Sequence, residues 1–311
     1  MERRNIYITK KQDEELNSLA TMLKIPRADI VRNAIDDKMS EYRKEIDDFV
    51  SDISYPDDTY QDLFRRKYEY HPVDFIEDCL KIISKDQGMI PFNLWDVQKK
   101  LVDIVHDYNE VILNKSRQCG ASITMLAYIA HYIIFNRNKY IFLGSGNLKM
   151  GQEMLRKLYM LIDNLPTHIK PNITNKTKTG FVCNGNHIYS KSVHFEATNS
   201  VRFDFVYVDE FSLVNRKVAD DFFDCIYPML ASSDTPYKLI ITSTPNDCNH
   251  FYALWANALA NYNNLKPVKI PWTSIPGRDN AWKEDLITHI GKERFESEFE
   301  CKFTKEGTVA I

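Results

Sequence analysis

Four short apolar runs, at 111–114 (VILN), 140–143 (YIFL), 205–208 (FVYV) and 238–242 (KLIIT), constrain this chain more than any other feature. Each is continuous rather than alternating, the pattern of a strand covered on both faces. Between the first two lies a long apolar helical stretch at 122–135, and a second helical pattern covers 150–165. Strand, crossover helix, strand at this spacing predicts an α/β fold with a mostly parallel sheet and helices on both faces. The chain has 311 residues, 44% of them apolar, enough for one large domain and a small one.

Composition narrows the function. The formal net charge is −3, so no global positive field gathers nucleic acid, and any such contact must come from a local patch. No apolar run approaches the roughly 18 residues of a membrane span, and the polar start MERRNIYITKKQDEEL has no signal-peptide core. A soluble chain without membrane contact is expected. The six cysteines are scattered without a CxxC pair, which argues against zinc or a disulfide framework.

Residues 1–44 carry a pattern of their own. Ile6 and Ile8 alternate with Asn5, Tyr7 and Thr9, which predicts a half-buried strand. Two amphipathic helices follow, the first with Leu16, Leu19, Ala20 and Leu23 on one stripe. A strand and two helices this short need a twin to close a core. Residues 45–63 are acidic, contain Pro56 and lack Lys and Arg, and are expected to be a solvated linker. The main domain then runs over 64–311.

Open parallel sheets bind ligands beyond the carboxyl ends of their strands. After VILN comes Lys115, Ser116, Arg117, Gln118, Cys119, Gly120, Ala121 and Ser122, leading into the long helix. Against G-x-x-x-x-G-K-[ST], Gly120 and Ser122 fit, while Lys115 stands at the first Gly and Ala121 at the usual Lys. The physical requirements survive that departure. A helix N-terminus attracts phosphate, Ser122 can ligate Mg²⁺, and Lys115 can reach across from the start of the loop. The run FVYV ends in Asp209 and Glu210, placed to hold Mg²⁺ and to polarise an attacking water. The next run ends in Thr242, Ser243 and Thr244, hydroxyls suited to sensing hydrolysis. Cys119 reads as a small filler, and His71, His106, His131 and His250 as packing or capping residues.

Two family resemblances follow from these residues. NIYITKKQDEELNSLATMLKIPRADIVRNAI resembles ribbon-helix-helix proteins, which implies pairing of two chains and Asn5, Tyr7 and Thr9 facing DNA bases. From about residue 68 onward the chain resembles the ATPase domain of tailed-phage terminase large subunits. The likeness is carried by PFNLWDVQKKLVDIV, NKSRQCGAS, SVRFDFVYVDEFSLV and LIITSTPNDCNHFYALW. It implies a P-loop NTPase-type fold and a motor that couples ATP hydrolysis to translocation of double-stranded DNA into a procapsid. Gln98 would lie beside the adenine, and Lys115 to Ser122 would bind the triphosphate. Ser122 and Asp209 would place Mg²⁺, Glu210 would be the catalytic carboxylate, and Thr242 to Thr244 the coupling element. Either Arg117 or Arg202 would stabilise the developing charge.

The expected partners are duplex DNA, a portal protein, a small terminase subunit, further copies of the chain, and a nuclease supplied separately or downstream. The expected location is the host cytoplasm and, transiently, the procapsid portal. The rival reading is a sequence-specific DNA-binding protein whose ATPase-like body is inactive, which Ala121 favours and the Asp209–Glu210 pair disfavours.

Overall fold

The computed structural model describes residues 60–84, 86–193, 202–231, 236–246 and 249–303. The chain divides into residues 1–59 and 60–311, and every described residue belongs to the second part. The expected strand-helix-helix module, its residues Asn5, Tyr7 and Thr9, and most of the acidic linker lie outside the described residues.

Helix α1 (Tyr60–Tyr68) begins inside the stretch that the sequence assigns to the linker. Helix α2 (Pro72–Cys79) follows, then a hairpin of β1 (Lys81–Ser84) and β2 (Gly88–Pro91), and α3 (Asp96–Asp107). The central sheet is built from β3 (Glu110–Lys115), β4 (Tyr140–Ser145), β5 (Ile173–Thr174), β6 (Gly180–Cys183), β7 (Asn186–Ser192), β8 (Phe205–Asp209), β9 (Lys238–Ser243) and β10 (Lys266–Ile270). Helices α4 (Ala121–Phe135), α5 (Leu148–Asp163), α6 (Arg216–Ala231) and α7 (His250–Leu259) connect them. Two further helices, α8 (Asn280–Ile290) and α9 (Lys292–Glu298), follow β10.

The strand order is β10-β3-β9-β8-β4-β7-β6-β5. Pairing is parallel from β10 through β7 and antiparallel among β7, β6 and β5. The expected mostly parallel sheet with helices is what the structure shows.

Strand periodicity divides the core. Val111, Leu113, Ile141, Leu143, Phe205, Tyr207 and Ile240 enter one buried cluster with α3, α4 and α5. Their neighbours Ile112, Phe142, Val206, Val208, Leu239 and Ile241 enter another with α6 and α7. Because both sheet faces are covered, β3, β8 and nearly all of β9 are buried, and their central residues form continuous apolar runs without alternation. Helix α4 is apolar almost all round because it sits inside the first cluster. Helix α5 starts at Leu148 rather than 150 because the Asn147 side chain accepts a hydrogen bond from the Met150 amide at 3.0 Å. Among the described residues no helix is long and apolar enough to cross a membrane.

The order of strands matters for the site. β3 and β8 are not neighbours, because β9 lies between them. Three strand ends therefore meet at one edge: Lys115, the turn after Asp209, and Ser243.

Candidate functional site

Two strand spacings separate β3 from β8, about 10 Å. A short side chain at position 115 cannot bridge that gap, whereas a four-carbon lysine stem can when the acid side chains beyond β8 reach back to meet it. Lys115 is buried, and its Nζ lies 3.0 Å from Asp209 Oδ1 and 2.7 Å from Glu210 Oε1. The same ammonium donates to Ser122 Oγ at 3.4 Å. Burial opposes the charge on Lys115, yet Asp209 and Glu210 outweigh it and hold its pKa above the ordinary lysine value. Burial likewise works against an ionised Asp209. Lys115, Ser122 and Thr242 outweigh it and hold that carboxyl below the ordinary range.

The end of β9 meets the end of β8 hydroxyl by hydroxyl. Thr242 Oγ1 donates to Asp209 Oδ1 at 2.7 Å. Thr244 Oγ1 donates to Glu210 Oε2 at 3.3 Å, with its amide at 3.5 Å from the same oxygen. Ser243 Oγ donates to Ser212 Oγ at 2.7 Å and accepts from the Ser212 amide at 3.0 Å. Glu210 itself adopts a left-handed backbone, φ 53°, which turns the chain sharply after the buried strand and keeps its carboxylate at the strand end.

The loop between β3 and α4 has Gln118 at φ 56° and Gly120 at φ 74°. Alternating handedness of this kind gathers amides into an anion-binding concavity, here at the N-terminus of a 15-residue helix. The Cys119 thiol is buried against the amides of Ala121 and its own residue, and burial raises its pKa. It is a filler rather than a reactive thiolate. Gln98 is buried at the first turn of α3. Its Oε1 accepts from the Trp95 amide at 2.9 Å and its Nε2 donates to the Cys119 carbonyl at 3.4 Å.

The structure thus brings together Gln98, Lys115 to Ser122, Asp209, Glu210 and Thr242 to Thr244. The two arginines behave differently. Arg117 is in the loop, half-exposed, with Nε 3.5 Å from Glu298 Oε2. Arg202 precedes β8, at the end of the strand opposite Glu210. The five residues of β8 put about 16 Å between those ends.

Sequence reasoning missed several residues here. Ser212 and Asn249 support the turn after β8, the latter donating to the Ser212 carbonyl at 2.9 Å. Arg278 holds the outside of the loop: it donates to Ser116 Oγ at 3.2 Å, the Arg117 carbonyl at 3.3 Å and the Gln118 carbonyl at 3.2 Å. Ser297 Oγ donates to the Pro245 carbonyl at 2.9 Å, so the segment after β10 touches both the loop and the chain beyond Thr244. A Pro-Gly-Arg-Asp turn signals a helix start at Asp279, but nothing in it points toward residues 116–118.

The family described as "Terminase large subunit, T4likevirus-type, N-terminal" matches residues 112–311, well over half of the chain. The chain belongs to this terminase family. The ribbon-helix-helix domain family also matches, over residues 2–43. The ATPase domain of the Thermus phage P74-26 large terminase is 16% identical with a TM-score of 0.54, over 68% of this chain and 95% of that one. The large terminase of a thermophilic bacteriophage is 12% identical with a TM-score of 0.54, over 67% of this chain and 53% of that one. That of bacteriophage HK97 is 18% identical with a TM-score of 0.55, over 75% and 49%. At these identities the likeness speaks for the fold. The terminase chain described here spans about half the length of the latter two proteins.

Proposed function

We propose that this chain is the ATPase subunit of a viral DNA-packaging terminase, coupling ATP hydrolysis to movement of duplex DNA into a procapsid. The observation that carries the reading is the Lys115 ammonium shared by Ser122, Asp209 and Glu210 across an intervening strand. The large terminase of the thermophilic bacteriophage has been solved with ADP and with ATP-gamma-S, which supports an adenine nucleotide as the ligand of this chain.

A resident Mg²⁺ fits these residues. The Ser122 hydroxyl and the Asp209 carboxylate already converge on one cation, the lysine's ammonium. Nucleotide-bound Mg²⁺ takes one or two protein ligands and phosphate oxygens. When bound, it would neutralise charge on the phosphates. Lys115 would release the two acids and turn to the phosphates, and Glu210 would accept a proton from the attacking water. Thr244, bonded to Glu210, and Thr242, bonded to Asp209, would transmit the loss of that charge along β9. Gln98 would exchange its Cys119 contact for the adenine side of the nucleotide.

Arg117 would leave Glu298 to stabilise the developing charge within the same chain. Arg202, at the far end of β8, would serve only the site of a neighbouring copy. A portal protein, a small terminase subunit and a nuclease activity remain the proposed partners, in the host cytoplasm and at the procapsid portal. The ribbon-helix-helix match favours a second, compatible reading in which residues 2–43, with Asn5, Tyr7 and Thr9, contact DNA.

The test is phosphate release from ATP by the full chain, with and without duplex DNA, portal and small subunit. Magnesium-dependent release is expected. Its absence with all partners present would leave the DNA-binding reading alone, to be checked by a footprint that Asn5, Tyr7 and Thr9 replacements abolish.

A further inference from the structure

We propose that Arg278 is the positioning residue of the phosphate loop, presetting the Gln118 and Cys119 amides to face the triphosphate; the inference rests on the nucleotide reading above. Its guanidinium makes four hydrogen bonds, to the Ser116 hydroxyl and to the Arg117 and Gln118 carbonyls. All three acceptors are in the loop, some 160 residues earlier in the chain.

Peptide planarity turns these contacts into an orientation. No peptide bond among the described residues is cis. In a trans peptide the carbonyl of one residue points opposite to the N–H of the next. Holding the Arg117 carbonyl outward therefore points the Gln118 amide inward, and holding the Gln118 carbonyl outward does the same for Cys119. The amides that precede them are used elsewhere: Ser116 N donates to the Ile270 carbonyl and Arg117 N to the Glu298 carbonyl, each at 2.7 Å. The segment from β10 to α9 thus holds the outer face of the loop and leaves the inner amides for an anion.

Arg278 is itself fixed. Its guanidinium lies 4.6 Å from the Trp282 ring centroid and 5.6 Å from that of Phe299. These rings belong to, or pack on, the small cluster of Trp272, Phe295 and Phe299. A planar fork held by rings delivers several donors at once, which an ammonium on a flexible stem does not. The loop is therefore held by contacts within its own chain, so less ordering is left to oppose binding.

The experiment compares full-length wild type, Arg278→Ala and Arg278→Lys by titration with a fluorescent ADP analogue and by steady-state ATP hydrolysis. For Arg278→Ala the expected result is at least tenfold weaker analogue binding and a KM for ATP raised to a similar extent, with kcat within threefold. Arg278→Lys recovers part of the affinity. Should the alanine variant fail to fold, the lysine variant carries the same test, with a smaller rise in KM and an unchanged kcat. Affinity and KM within twofold of wild type in the variant that folds would overturn the proposal. So would a fall in kcat at unchanged KM, which would place Arg278 in the chemical step. If wild type binds no analogue, the nucleotide reading fails and this inference with it; if wild type binds and the variants bind equally well, only the role of Arg278 fails.

Discussion

Lys115 Nζ donates to Glu210 Oε1 at 2.7 Å, joining the last residue of β3 to the first residue beyond β8 over the end of β9. The carboxylate proposed to activate water is thus neutralised by the lysine proposed to bind phosphate. On the proposed function, nucleotide binding and activation of Glu210 would be one event, because the ammonium cannot serve both partners at full strength.

Glu210→Gln keeps the side-chain length and both polar atoms but removes the proton acceptor. Turnover should fall by at least 10²-fold, the usual scale for a lost general base, while nucleotide affinity stays within a few-fold of wild type. Phosphate-release kinetics beside equilibrium nucleotide binding check this. Normal hydrolysis by the variant would remove Glu210 from the mechanism.

Lys115→Met leaves Asp209, which is buried, and Glu210 without their cation. Removing one partner of a buried pair costs about 3–5 kcal/mol, so the denaturant midpoint should drop clearly. The same vacancy should let Mn²⁺ bind without nucleotide, seen as loss of the free-ion signal in electron paramagnetic resonance, where wild type shows none at the same concentration. Equal Mn²⁺ binding by both proteins would mean that the ammonium does not occupy the metal position.

The pH dependence follows from the direction of two shifts. The Asp209 carboxyl is held below its ordinary value of 3.8, so its contribution is present above about pH 4 and is lost as pH falls through the lower folded value. Lys115 is held above its ordinary 10.5, so its contribution is complete below that pH and is lost as pH rises through the higher folded value. Urea midpoints across pH should decline at both extremes. Lys115→Met should flatten the alkaline limb, and an unchanged limb would contradict the pairing.

The strands that were legible in the sequence are those whose burial on both faces makes them continuously apolar: β3, β4, β8 and β9. The motif residues at their carboxyl ends could be read because each ends a run. β10 was not legible, since KPVKI contains two lysines and a proline that only an edge strand tolerates. Nor was β7, whose NHIYSKS alternates between buried and half-exposed positions and pairs β4 on one side and β6 on the other. The insertion of β9 between β3 and β8 has no local signature, because strand order depends on which surfaces pack. That insertion is why Thr242 reaches Asp209. Arg278 was invisible for a related reason: its partners are mostly backbone carbonyls, which every residue carries, so no side-chain type at 117–118 announces the contact.

Gly120→Ala isolates the geometry of the loop from its charge. Gly120 adopts φ 74°, where an L side chain costs about 1–2 kcal/mol. A Cβ there also runs into Gln98 Nε2, the atom that donates to the Cys119 carbonyl. Gln98 is tied at its other end to the Trp95 amide, so it cannot yield without uncapping α3. The substitution should therefore destabilise the protein by about 2 kcal/mol or more and weaken nucleotide binding, since it disturbs the helix N-terminus proposed to hold the phosphates. Gln98→Ala in the same chain removes the collision but not the backbone strain. The double variant should then be more stable than the sum of the single losses, by about 1 kcal/mol in a double-mutant cycle of urea midpoints. Strict additivity would show that the two residues do not meet, and would detach Gln98 from the phosphate loop.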